Sequence, residues 1–385
     1  LIGKELYDEK VGLISAFMAA VAWIHLFYSV RIMTDIPSLF LALASIYFFV
    51  KSYENFELKY FSLSILFLSL AILMRYSYGL IGFVYLIFLG LVHRHRVLGK
   101  KNFWIGSVIG VVPLLIFFAS NLIKYGGLFP AVESYAAAAA EKPVAFYVFG
   151  FIPYILKNTF TGLFLIGLAI VIFELFIGLD AISKFKRIKS DVFLIVMLLV
   201  SLIFFVFVIK AAEDRYLMMI FPPMFVFSSI ALLDVYNFAG KYSKAFAVIL
   251  VLGILGFGAY SQITFGNMII EDKKTSFLPM KEALVWIGEN TPEDAVILGQ
   301  WADPYTIYYA GRRVEEWPRP LDGLDSFEPK ADYLIVNIVH PPDDRVTNYI
   351  QERLQDRANV VKVFYFDEAK QNPAVIVSKL NKLAQ

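Results

Sequence analysis

Tyr28-Ser29-Val30-Arg31-Ile32-Met33-Thr34-Asp35-Ile36-Pro37-Ser38 is the stretch on which the reading of this chain turns. It places an Arg, an Asp and a Pro between two runs, residues 11–30 and 36–50, that are apolar enough to cross a membrane. A charge at the centre of a membrane helix costs about 2.5 to 3.5 kcal/mol on insertion scales, so such residues belong at helix ends or face a polar cavity. Pro37 suits the first turn of the following helix, and Thr34 or Asp35 is expected to cap its free amides. One reading of the stretch is therefore a capped interhelical turn. The other is a charged site at the membrane edge, and the rest of the chain decides between them.

Composition sets the class. Hydrophobic residues make up 59% of the 385, mean hydropathy is +0.65 and only 18% are charged, which excludes an ordinary soluble enzyme. The sequence predicts an α-helical polytopic membrane protein carrying a small C-terminal α/β domain. Net charge of +2 says nothing about nucleic acid, and with no arginine-rich arm or basic aromatic surface nucleic acid is not an expected partner. The lack of cysteine removes disulfides, thiolate metal sites and cysteine nucleophiles together. The chain starts with Leu and enters an apolar segment almost at once, which suggests an N-terminal truncation.

About nine spans are expected, at residues 11–30, 36–50, 61–74, 79–92, 103–120, 160–179, 192–209, 216–234 and 245–262. Basic clusters at 93–101, 184–189 and 241–244 fall on alternate loops, and the positive-inside rule makes that side cytoplasmic. The opposite, outer side collects the Asp35 turn, the Arg75-Tyr76-Ser77-Tyr78 turn, a long segment 121–159, the loop before Tyr216 and everything after Gln262. Spans 61–74 and 36–50 reach only about 21 and 22 Å against a hydrocarbon core near 30 Å. Arg75 and Asp35 are thereby expected to be recessed in a membrane-level, water-filled cavity, unless those helices extend into flanking polar residues. Segment 121–159 is expected to hold two short helices along the outer interface.

The transmembrane domain is expected over residues 1–265 and the soluble one over 275–385. In the latter, strand-length apolar runs at 295–298, 333–339, 360–366 and 374–377 alternate with helical patterns at 279–289, 304–310 and 344–357. It has no glycine-rich phosphate loop. Asp303-Pro304 reads as a helix start, and Tyr305, Tyr308 and Tyr309 as core or interface.

The residues resemble a known family. Val30-Arg31-Ile32-Met33-Thr34-Asp35-Ile36-Pro37, then Asn121 with Tyr125-Gly126 and Pro130, then Asp214-Arg215-Tyr216-Leu217 running into Phe221-Pro222, are similar to the GT-C membrane glycosyltransferases. The likeness is nearest to the dolichyl-phosphate-mannose protein mannosyltransferases and the bacterial aminoarabinose transferases, and covers roughly residues 1–235. It implies a sugar transferred from a polyprenyl- or dolichyl-phosphate donor to a protein or lipid hydroxyl, at the outer face of the cell membrane and among its lipids. A departing lipid phosphate needs cations. Arg31, Arg75, Lys124 and Arg215 are the candidates, with the arginines favoured by their planar fork. Tyr125, Asp214 and Tyr216 belong to the same expected substrate site. Asp35 is the expected catalytic carboxylate, with Glu133, Glu141 and Glu213 as other outer acids. In the resembled family the principal acid lies in the first external loop, which is expected to precede the start of this sequence, and Asp35 would then correspond to the second acidic position. The resemblance leaves a divalent metal open and names no other cofactor. A transporter or flippase with an external domain is the alternative, disfavoured by the absence of matching halves.

Overall fold

The computed structural model describes residues 1–128, 150–178, 185–209, 214–299, 305–318, 321–338, 343–366, 369 and 371–381. Two compact units divide the chain at Asn267 and Met268.

The first unit is helical. After α1 (Ile2–Leu6) come α2 (Glu9–Val21), α3 (Trp23–Ser29), α4 (Asp35–Ser52), α5 (Leu58–Met74), α6 (Gly79–His93) and α7 (Lys101–Tyr125). Beyond them lie α8 (Ile152–Gly178), α9 (Lys186–Ile203), α10 (Phe221–Gly240) and α11 (Lys244–Lys274). Among the described residues seven helical segments are long and apolar enough to cross a membrane, or eight if the bent pair α2 and α3 is one span; α5, at 17 residues, is shorter. Large side chains such as Ile116, Phe173, Phe257 and Tyr260 stand more than 65% exposed, a surface that only lipid solvates. α10 is the exception, buried along most of its length and packed against α8 and α2. Aromatic rings fill the core beside it, where Phe49 stacks on Tyr85 at 3.7 Å and Phe193 and Phe88 close the group.

Three expectations change. The apolar run 11–30 is not one helix: it bends by 57° at Ala22, between α2 and α3. α8 begins at Ile152 rather than residue 160, so the end of the expected interfacial segment joins the span, and it breaks at Lys157, where φ is 55°. Residues 121–125 of that segment end α7, and residues 129–149, with Ala131 to Glu141, lie outside the described residues. α4 and α5 do extend into flanking residues, to 18 and 17 residues or about 27 and 26 Å. Helix length alone therefore does not recess Asp35 and Arg75.

At the far end of α4 from Asp35, charges tie the loops together. Lys189 Nζ donates to Glu54 at 2.6 Å, Arg187 grips Glu174 with two hydrogen bonds of 2.7 and 2.8 Å, and the Tyr7 hydroxyl donates to buried Asp191. Lys189 holds the Glu54 carboxyl below its usual range.

The second unit is a five-stranded sheet of order β2-β1-β3-β5-β4, built from β1 (Val296–Gly299), β2 (Arg313–Glu315), β3 (Tyr333–Asn337), β4 (Ala358–Tyr365) and β5 (Pro373–Leu380). β1 pairs in parallel with β2 and β3, while β5 runs antiparallel to β3 and β4. β2 was not expected, because three residues with charged ends carry no apolar run. α12 (Leu278–Asn290) packs Ala283, Leu284 and Ile287 onto one core, and α13 (Asp344–Tyr349) sets Val346 and Tyr349 in another. Asp303 and Pro304 lie outside the described residues.

In α8, Gly167 meets the α10 backbone so closely that an added Cβ would stand 1.9 Å from the Phe227 carbonyl oxygen. Close backbone approach at small residues is how helices associate where lipid offers no hydrophobic drive. Gly167→Ala is expected to lower stability by about 1–3 kcal/mol through overpacking. Gly162→Ala on the same helix meets nothing within 4 Å and is expected to be neutral or slightly stabilising. Thermal unfolding of the two variants in detergent checks the difference.

Candidate active site

The geometry begins at Asp35. α4 opens there, but neither Thr34 nor Asp35 caps it: Thr34 makes no side-chain cap bond, and Ser38 Oγ donates to the Asp35 carbonyl oxygen at 2.9 Å. The Asp35 carboxylate, 2% exposed, instead forms an ion pair with Arg75. Arg75 reaches it because α5 ends there in an extended residue (φ −152°, ψ 114°) followed by a tight turn, Tyr76–Tyr78. The capping expectation is thus corrected. Arg31, four residues before Asp35, has its guanidinium over the Phe27 ring at 4.1 Å.

Tyr216 joins the two arginine-bearing turns. Its ring has the Arg75 guanidinium at 5.5 Å and that of Arg215 at 5.7 Å, and Phe205 stacks on it at 5.7 Å with the planes nearly parallel. Asp214 is committed to local structure: one carboxylate oxygen accepts from the Tyr28 hydroxyl at 2.7 Å and from the Arg215 backbone amide at 2.8 Å. The structure therefore brings Asp35, Arg75 and Tyr216 together with Arg215, and Asp214 with Tyr28. Lys124 and Tyr125 are exposed at the end of α7, and the described contacts do not join them to this group. Glu133, Glu141 and Glu213 lie outside the described residues.

Sequence reading gave no role to Tyr28, nor to a second constellation next to it. Gln262 of α11 is fully buried; its Oε1 accepts from the Trp23 amide at 2.9 Å, and its Nε2 donates to the carbonyls of Ile155 and Leu156 at 3.1 and 2.7 Å. The available signal was a lone Gln closing an apolar run and a lone Lys157 just before another.

No three carboxylates or histidines gather as a metal site among the described residues. Asp35 already has a guanidinium against it, which would repel a cation. A divalent ion does not fit this donor set. The clefts of about 300 and 350 Å³ are apolar grooves on the helix surfaces, and none of the candidate residues lines them.

Residues 1–123 match the family model described as dolichyl-phosphate-mannose-protein mannosyltransferase. Among solved structures, ArnT from Cupriavidus metallidurans in the apo state superposes with a TM-score of 0.62 at 12% identity, over 98% of this chain and 80% of that one. The same protein bound to undecaprenyl phosphate gives 0.58 at 11% identity, with the same coverage. This chain has the GT-C fold. No curated protein matches the sequence. The matched region contains Arg31, Asp35 and Arg75, so the family-model match covers two of the turns of the candidate site.

Removing one partner of a buried ion pair strands the other charge. Asp35→Asn is expected to cost about 3–5 kcal/mol, and Asp35→Asn combined with Arg75→Gln less than the sum of the two single changes. A double-mutant cycle on thermal unfolding measures that coupling. A helix cap alone would tolerate Asn freely.

Proposed function

We propose that this chain is an integral membrane glycosyltransferase that takes a sugar from a polyprenyl- or dolichyl-phosphate carrier and passes it to a hydroxyl of a protein or lipid acceptor. The site faces the outer side of the cell membrane, as does the C-terminal domain. The observation that carries the reading is the convergence of Arg75, held by buried Asp35, and Arg215 on one tyrosine ring. It occurs in a chain whose fold is that of a protein crystallised with undecaprenyl phosphate.

In such a transfer the acceptor oxygen bonds to the anomeric carbon as the bond from that carbon to the phosphate oxygen breaks. The bonding pair stays on the phosphate, which gains a negative charge, and the acceptor proton passes to a base. Arginines in a low-dielectric pocket stabilise the growing charge without reorganising. Arg75 and Arg215 fill that role, and Arg31, four residues before Asp35, is the third candidate. The Tyr216 ring fixes the spacing of the first two guanidinium groups by cation–π contact. Asp35 keeps Arg75 oriented, which makes it a positioning residue rather than the base.

Arg75→Gln and Arg215→Gln are each expected to lower transfer from a lipid-phosphate sugar in membranes by about 10²- to 10³-fold, with Lys recovering only part. Arg313→Gln, exposed on β2, serves as the control. Arg312 would serve poorly, because it clasps the carbonyls of Gly288, Ala310 and Thr291. Undiminished transfer in both site variants would overturn the reading.

Sidedness is tested in the same cysteine-free background. A cysteine at Ser326 is expected to react with an impermeant reagent on intact cells, and one at Asn102 only after permeabilisation. The reverse pattern would invert the orientation.

A further inference from the structure

Two helix interruptions, far apart in sequence, meet at one buried side chain. The bend at Ala22 frees the Trp23 amide, the break at Lys157 frees the carbonyls of Ile155 and Leu156, and Gln262 satisfies all three. At this junction Lys157 turns out of α8 with φ 55° and ψ 175°. Its ammonium lies 3.0 Å from the ring centroid of Phe265, 4.6 Å from that of Tyr154 and 5.6 Å from that of Trp23. The three rings stand edge-on to one another, and the Trp23 indole N–H donates to the Tyr154 carbonyl at 3.2 Å. Among the described residues no carboxylate pairs with Lys157; its neighbours are these rings.

Such an arrangement is unfavourable on two counts. A non-glycine residue in the left-handed region costs about 1–3 kcal/mol, and a half-buried ammonium loses hydration that cation–π contacts return only in part. A methionine would fill the same aromatic pocket with neither a charge nor the need for one. Among the described residues the fold thus holds an extended cation without a counter-ion, and the short helix α3 leads from this junction at Trp23 to Tyr28, which donates to Asp214 of the candidate site.

We infer that Lys157 is a further anion-binding residue of this site, its ammonium contacting the phosphate monoester of the lipid carrier. This rests on the proposed lipid-phosphate reading and extends it to a residue on α8. A Lys supplies a compact, mobile point charge, where Arg75 and Arg215 supply fixed forks. The aromatic pocket keeps the ammonium in place before the lipid arrives, so little ordering is left to occur on binding.

The test measures binding of undecaprenyl phosphate, undecaprenol and inorganic phosphate to the purified protein in nanodiscs. Lys157→Met is expected to weaken undecaprenyl phosphate tenfold or more and to leave undecaprenol unchanged, while Lys157→Arg stays within about threefold of the parent. If Lys157→Met does not fold, judged by thermal unfolding, Lys157→Gln takes its place. Unchanged undecaprenyl phosphate affinity, or an equal loss for undecaprenol, would overturn the assignment, the second outcome marking Lys157 as packing only. Sensitivity confined to inorganic phosphate would overturn the lipid carrier as the ligand. Arg75→Gln and Arg215→Gln are measured alongside. Loss in Lys157→Met with no loss in either arginine variant would uphold Lys157 and sink the arginine site; the converse would do the opposite.

Discussion

Inside a bilayer every backbone polar group must find its partner within the protein, because lipid offers none. The first unit breaks two of its helices, at Ala22 and at Lys157, and one fully buried amide side chain, Gln262, supplies both the acceptor and the donors that the breaks require. Without that satisfaction α3 would have no reason to leave the axis of α2, and Tyr28 would not be carried to Asp214. The turn containing Asp35 follows directly from this redirected helix. The site therefore depends on a polar contact contributed from near the end of the membrane unit, more than two hundred residues away in sequence.

Charge is handled differently at the two ends of α4. Near Glu54 the ion pairs are part-exposed and connect loops, as pairs near water do at small net gain. Near Asp35 a carboxylate that is almost fully buried is matched by the Arg75 guanidinium, which also lies near the Tyr216 ring. The first arrangement staples the unit together. The second fixes an arginine in a defined place.

Much of the membrane unit could be read from the chain. The apolar runs, and the places of Arg31, Asp35, Arg75 and Arg215 at or beside helix ends, survive in the structure, because hydrophobic length and the cost of burying charge are local properties. The resemblance to GT-C transferases rested on those same turns, and the fold agrees with it. In the second unit β1, β3, β4 and β5 were legible as apolar runs, whereas β2 was not, since its three residues become a strand only by pairing with β1.

What the sequence by itself determined is where helices must lie and which charged residues stand at their ends, since apolar length and the cost of burying charge act on each segment alone. Which charges meet was decided by tertiary structure. Asp35 could as well have capped its own helix or paired with Arg31, four residues before it; it pairs with Arg75 because α4 and α5 pack side by side and α5 ends in an extended residue aimed back at it. Lys157 and Gln262 looked like ordinary polar residues at the edges of apolar runs. Only the meeting of two broken helices turns one into their shared hydrogen-bond partner and the other into a caged cation, because an unsatisfied backbone group has no sequence signature until its neighbours are in place.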